Sequence, residues 1–286
     1  DFTAQYVFYL DAVENEIGPR TILFNVSGII TLNSRLVIRD DYITIAGQTA
    51  PGKGICFRWA PIGVVGDNLI VQNLRVRLGI GVTFDGMGLT GAQNSIIDHC
   101  SISWTIDEAF SSRGANNITL QRTLISEALN AAGHDKYPPG SQHGYAASIG
   151  GDIGSFHHNL LAHCAGRNWS LAGGLDGNGY YAGRLDITNN VVYNWDGRTT
   201  DGGAHEVNFV NNYYKPGAAI SNTVALTAQH EAVGLGTQRY YFAGNVMPGY
   251  FDETNQEAGR NIQGSVSYET FVDTPFFESL VTTQSA

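Results

Sequence analysis

The sequence predicts an all-β chain wound as a parallel β-helix, a single-stranded solenoid of about eight coils in one domain over residues 1–286. Three observations predict it. Similar apolar runs recur along the chain: TILFNVSG, YITIAGQ, LIVQNLRVRL, IIDHCSISW, ITLQRTLIS, SFHHNLLAH, LDITNNVVYN, EVNFVNNYY and YYFAGNVM. Aligned on a shared small or polar position (Ser27, Gln48, Leu74, Cys100, Thr123, Asn159, Asn190, Asn212, Asn245), they are spaced by 21, 26, 26, 23, 36, 31, 22 and 33 residues. Within each unit, short β-branched and aromatic runs are broken by Gly and Asn, and no helical period is long enough for a βαβ crossover. The composition agrees: 35 Gly and only 15% charged residues, below the usual quarter.

Taken in order, residues 1–20 read as a short N-terminal cap in which DAVENEIGPR forms a brief helix stopped by Gly18-Pro19. Strands begin at Thr21. The stretch Asn94–Arg113 (NSIIDHCSISWTIDEAFSSR) runs two short strands into the adjacent carboxylates Asp107 and Glu108. Clustered carboxylate oxygens are what hard cations require. Asn159, Asn190, Asn212 and Asn245 share one place in successive units, where a sharp bend favours Asn in the left-handed region and stacked amides can bond up a ladder. The 36-residue and 31-residue units carry the insertions HDKYPPGSQHG and GGLDGNGYYAG, which leave the coil on one side and are candidates for a binding face. Residues 246–286 read as a C-terminal tail packing on the helix. Cys56, Cys100 and Cys164 are too few for a disulfide scaffold and read as buried small hydrophobes.

The formal charge of −10 argues against nucleic acid as a partner. An anionic substrate must therefore be met by local Arg or Lys or by a bound cation, since the overall field repels it. No apolar run is long enough to span a bilayer. No signal peptide is present, but the chain begins abruptly at Asp1, as a processed or trimmed form would.

Residues at equal offsets after the aligned position should share a column. Glu108, Arg167 and Arg198 each fall 8 residues on, Asp107 falls 7 on, and Asp85, Ser111 and Asp201 fall 11 on. Glu108 and Arg167 are then two coils, about 9–10 Å, apart. This gives one groove an acidic and a basic end. His157, His158 and His163 form HHNLLAH on a strand and bend, where stacking is the simpler account than metal binding. Trp169, two residues from Arg167, is the best placed of Trp104, Trp169 and Trp195 to stack on a sugar. His134, Lys136 and His143 lie in an insertion that can reach substrate.

The stretches GPRTILFNVSGIITLNSRLVIRDDYITIAGQTAPGKGI, DHCSISWTIDE, HGYAASIGGDIGSFHHNLLAHCAGRN, NNVVYNWDGR and VNNYYKPG together resemble pectate lyases of polysaccharide lyase family 1, over about residues 18–220. The resemblance implies a right-handed parallel β-helix that cleaves pectate or a related uronic-acid polysaccharide by Ca²⁺-assisted β-elimination. It implies a secreted or periplasmic monomer acting on an acidic plant or algal cell-wall polysaccharide. By the same resemblance Arg167 is the proton-abstracting arginine, and Asp85 and Asp107 are calcium ligands, with Glu108 as a substitute for the acid that Ser111 replaces. Asp98 is similar to an aspartate that supports the site. Tyr145 falls where the family carries a substrate lysine, and Trp169 and Ala172 replace a Pro and an Arg. Arg198, Tyr145, His143, Lys136 and Trp169 are the expected substrate contacts. Two alternatives stand beside the lyase: a glycan-binding β-helix without catalysis, and a glycoside hydrolase of the same fold.

Overall fold

In a computed structural model, which describes residues 12, 13, 16–81 and 83–286, the chain winds through three parallel sheets. Of the expected brief helix over residues 11–20, residues 11, 14 and 15 lie outside the described residues, residues 16 and 17 are irregular, and Arg20 already opens the first strand. Among the described residues the first sheet has ten strands, from Arg20–Leu23 to Phe271–Val272; the second has eight, from Gly28–Thr31 to Tyr213–Lys215; the third has nine, from Leu36–Ile38 to Arg260–Gln263. Each strand pairs in parallel with the equivalent strand one coil away, so the architecture is a parallel β-helix.

Register turns the short apolar runs into continuous internal stacks. On the first sheet Ile22, Ile45, Val71, Ile97, Leu120, Phe156, Ile187, Phe209 and Phe242 follow one another and are buried. On the second, Ile30, Phe57, Val76, Ile102, Ile125, Leu161, Val192 and Tyr214 do the same. With only one or two inward apolar residues per short strand, each coil buries its stripe only against its neighbours.

The amide ladder forms between the first and second sheets. Asn159 Nδ2 donates to Asn190 Oδ1 at 3.0 Å, Asn190 to Asn212 at 3.0 Å, and Asn212 to Asn245 at 3.1 Å. The left-handed backbone belongs to the residue before each rung instead: His158, Asn189, Asn211 and Gly244 have φ of 55°, 53°, 53° and 65°. The rung amide is needed to bond along the stack, and its neighbour turns the corner. Asn190 also caps the Phe156 carbonyl at 2.8 Å and accepts from the Asn159 backbone at 3.0 Å. Asn190→Ala orphans these buried groups and is expected to cost about 3 kcal/mol, read as a lowered urea midpoint with unchanged slope.

Two rungs of the expected alignment are misplaced. Ala46 pairs with Gln72, but Cys56 pairs with Arg75, so this coil carries seven extra residues at the bend. Ile55 and Gly28 therefore occupy the column, not Gln48 and Ser27. Of the expected tail over residues 246–286, Arg260–Gln263 and Phe271–Val272 instead extend the third and first sheets, and only the stretch after them lies across the first sheet, where Ser279 Oγ donates to Asp186 at 2.5 Å and Asn208 Nδ2 to the Phe277 carbonyl at 3.0 Å. Cys56, Cys100 and Cys164 are free and buried. Among the described residues no helix is long and apolar enough to cross a membrane.

Candidate active site

The turns from the second sheet into the third carry the charged residues. Asp85 precedes the third-sheet strand Met87–Gly88, Asp107 and Glu108 precede Phe110–Ser111, and Arg167 precedes Ser170–Ala172. Arg198 precedes Thr200–Gly203, and Lys136, His143 and Tyr145 lie in the long turn before Ala147–Gly150. Corresponding turns stack at the inter-strand spacing of about 4.8 Å, so residues scattered along the sequence meet along one edge. Asp85, Asp107, Glu108, Lys136, His143 and Arg167 line a groove of about 360 Å³, while Tyr145 and Arg198 stand behind Arg167 outside its lining.

Asp85, Asp107 and Glu108 bring carboxylate oxygens within 4.8 Å of one another. Glu108 therefore does join Asp85 and Asp107, although residue 111 is Ser. Asp85 reaches the cluster from a different column than its offset implied: Met87 pairs with Phe110, which puts Asp85 level with Glu108, while Gly88 is level with Ser111. Burial, with the Asp107 charge added, pushes the Asp85 carboxyl up, against the lowering effects of the Ser111 hydroxyl, Arg113 and Lys136.

Asp107 is held on its other side by nitrogen. Lys136 Nζ stands 3.5 Å away, His134 Nε2 3.4 Å and His143 Nδ1 3.6 Å. The Lys136 backbone N–H donates to His134 Nδ1 at 3.2 Å, which leaves the neutral ring's proton on Nε2, facing Asp107. His143 Nδ1 lies 3.3 Å from the Ile106 carbonyl, which only an N–H can satisfy. His134 thus presents an N–H to Asp107, the His143 Nδ1 is committed to the Ile106 carbonyl and offers no lone pair, and burial first of all lowers the His143 pKa. The nitrogen-containing group does not suit a metal. The all-oxygen group does, being a set of hard donors. Glu108 is also committed elsewhere, so Asp85 and Asp107 are its freest members.

Glu108 is in direct contact with Arg167 Nη1 and accepts from Ser148 Oγ at 2.7 Å, while Arg113 stands 3.8 Å away. The expected gap of about 9–10 Å between the acidic and basic ends is corrected: the backbones are two coils apart, but the Arg167 side chain spans the intervening coil. That coil supplies Tyr145, whose ring lies 4.5 Å from Arg167 Cζ and 5.2 Å from Arg198 Cζ. Asp201 fixes Arg198 through two bonds of 2.7 Å, and this pairing raises the Arg198 pKa. Burial and then the Arg198 charge lower the Arg167 pKa. Arg167 has φ of 52°, a left-handed backbone that a non-glycine holds only when its surroundings fix it.

Trp169 is not a sugar platform. It is fully buried, packs on Phe156 at 5.8 Å and lies one residue before Ser170, the partner of Ser148, so it fills the interior above Ala147. Trp195 is also in the core, and Trp104 is exposed beside Arg77. Asp98 is away from the groove, held by Gln72 and Gln121 at 3.0 Å each. His157 and His158 do not stack but meet edge to face at a bend, with Nδ1 atoms 2.9 Å apart, and burial lowers the His157 pKa to about 4. The first insertion builds the groove wall. The second, GGLDGNGYYAG, follows the third sheet instead and bridges to Leu235 through Tyr180. Sequence reasoning missed Arg113, Tyr137 and Arg35, all of which line the groove.

Asp85→Asn tests the repulsion in the acid cluster. A carboxyl whose folded pKa is raised leaves stability intact below its unfolded pKa and erodes it as pH rises through the folded value. In chelator, the variant is expected to match the parent near pH 4 and to melt higher by a few degrees at neutral pH. Thermal unfolding across pH reads this directly; equal melting at neutral pH contradicts it.

No protein-family model matches the chain. It is similar to curated proteins named probable pectate lyase C: 32% identical over 235 residues to that of Neosartorya fischeri (78% of this chain, 50% of that protein). It is 33% identical over 244 residues to that of Aspergillus terreus (82% and 50%). The chain spans about half the length of the curated relatives it matches. Among solved structures, its fold resembles a Bacillus subtilis pectate lyase mutant, with TM-score 0.52 and 13% identity over 99% of this chain and 75% of that one. It also resembles the Paenibacillus sp. 0602 pectate lyase, with TM-score 0.53 and 13% identity over 91% and 73%.

Proposed function

We propose that this chain, a homologue of pectate lyases, is a polysaccharide lyase that cleaves pectate or a related polyuronate by β-elimination, acting outside the cytoplasm where such polymers occur. The observation that carries the reading is the contact of a carboxylate cluster with a half-buried arginine whose pKa is pressed down.

The reaction removes the proton on the carbon α to the uronate carboxylate. The electron pair left behind forms a double bond to the next carbon, that carbon's bond to the glycosidic oxygen breaks, and the oxygen takes a proton from solvent. An ionised carboxylate stabilises the developing carbanion poorly, so positive charge must neutralise it. Ca²⁺ held by Asp85 and Asp107, with Glu108 as a third ligand, would supply that charge. Arg167 is the base. Its free pKa lies above about 12, so it serves only where its neutral form is favoured. Burial and Arg198 press in that direction, and the Glu108 contact opposes it. Arg167 is therefore free to accept a proton only when Glu108 is drawn to the oxygen cluster. Tyr145 positions the arginine by lying under both guanidiniums, and Lys136 stands at the groove edge where a second uronate carboxylate can be met.

The ultraviolet absorbance of the unsaturated uronate, followed on pectate, methylated pectin and rhamnogalacturonan, tests the reading. Absorbance that rises on an acidic polymer and stops on chelation supports it. Reducing ends without absorbance indicate a hydrolase, and binding without either indicates a glycan-binding protein.

A further inference from the structure

We propose that Trp59, Phe84 and Arg35 form a separate saccharide subsite at the N-terminal end of the groove, taking one or two uronate rings of the same polymer chain. The inference rests on reading the groove as a polyuronate site.

The register carries the placement. Arg35 precedes the third-sheet strand Leu36–Ile38 and Trp59 precedes Ile62–Val64, so both stand on the same edge as Asp85, Asp107, Arg167 and Arg198. Trp59 lies two coils from Asp107, about 10 Å, and Arg35 one coil further. A second cavity of about 440 Å³ lies there, and Arg35, Pro61 and Phe84 line both it and the acid-lined groove. The cleft is thus continuous from Arg167 to Trp59.

The chemistry suits a uronate. Trp59 is 55% exposed and Phe84 52%, and both face the cavity. Apolar rings in a concave cleft that also carries Thr31, Asn33, Ser34 and Arg35 offer the faces on which pyranose C–H groups stack. The edge demands a left-handed corner residue, filled here by Trp59 at φ 78° and in later coils by Trp104, Glu127, His163 and Asn194. The corner holds the indole out from the sheets. Arg35 supplies the charge. Its guanidinium lies over Gly63, where a Cβ would come within 2.9 Å of Nη2, and among the described residues it makes no ion pair with an acid. An uncommitted guanidinium is what a substrate carboxylate needs.

The test is calorimetry with trigalacturonate and hexagalacturonate in the presence of Ca²⁺, on Arg167→Ala protein to stop turnover. The parent is compared with the same protein carrying Trp59→Ala, Trp59→Phe or Arg35→Gln. A trimer spans the coils between Arg167 and Asp107; a hexamer reaches Trp59. Trp59→Ala is expected to lower the hexamer-to-trimer affinity ratio about tenfold. Trp59→Phe should recover most of it, and Arg35→Gln should lower it and weaken its salt dependence. A ratio unchanged in both Trp59→Ala and Arg35→Gln overturns the subsite, as does a parent that binds hexamer no better than trimer. Product formation by unaltered protein is scored separately. Hexamer selectivity without unsaturated product overturns the lyase and keeps the subsite; unsaturated product with an unchanged ratio does the reverse.

Discussion

Arg167→Lys is expected to leave the coil stack folded and to lower turnover by at least about a hundredfold, a typical loss for a positioned base. Lysine keeps the positive charge but not the planar fork. Arg167 uses that geometry twice, contacting Glu108 across an intervening coil and lying 4.5 Å from the Tyr145 ring. If Arg167 only held a substrate carboxylate, lysine would retain most of the turnover and mainly raise KM. Steady-state kinetics on pectate separate the two, and circular dichroism with the melting temperature checks the fold. Turnover nearly unchanged in Arg167→Ala would remove the residue from the chemistry.

Asp107→Asn is expected to raise the Ca²⁺ concentration needed for half-maximal rate by about tenfold to a hundredfold and to lower the rate at saturation. The carboxylate belongs to the all-oxygen cluster and also receives Lys136, His134 and His143. Its loss removes ligand charge, which sets affinity in such sites, and misaligns the wall that the insertion builds. Initial rates against Ca²⁺ concentration read both effects. An unchanged calcium requirement would show that the cation sits elsewhere.

The coil stack was legible because its determinants are local and repeated: one or two inward apolar residues per short strand, and an Asn at the same bend in Asn190, Asn212 and Asn245. The shared column of Glu108 and Arg167 followed from counting offsets, since the coils between them keep their turns in step, but their contact did not, because the arginine side chain reaches across the intervening coil. Counting failed where a turn changed length. Seven extra residues between Ala46 and Cys56 hid the alignment of the first coils, and with it the placement of Arg35 and Trp59 on the groove edge. Asp85 slipped to the wrong column for the same reason. Trp169 was misread because nearness to Arg167 fixes a side only in a regular strand, and the chain turns inward between them. The contacts of His134 and His143 with Asp107 were not legible, because an insertion's path is set by tertiary packing and has no period to read.

The central claim is that this groove breaks a glycosidic bond by elimination. The mass of the new non-reducing end tests it most directly. After digestion of polygalacturonate with Ca²⁺ present, the account predicts oligomers lighter by one water than hydrolysis products, absent when chelator is added. Products carrying the full mass of a hydrolytic end, or products that form equally in chelator, would contradict it.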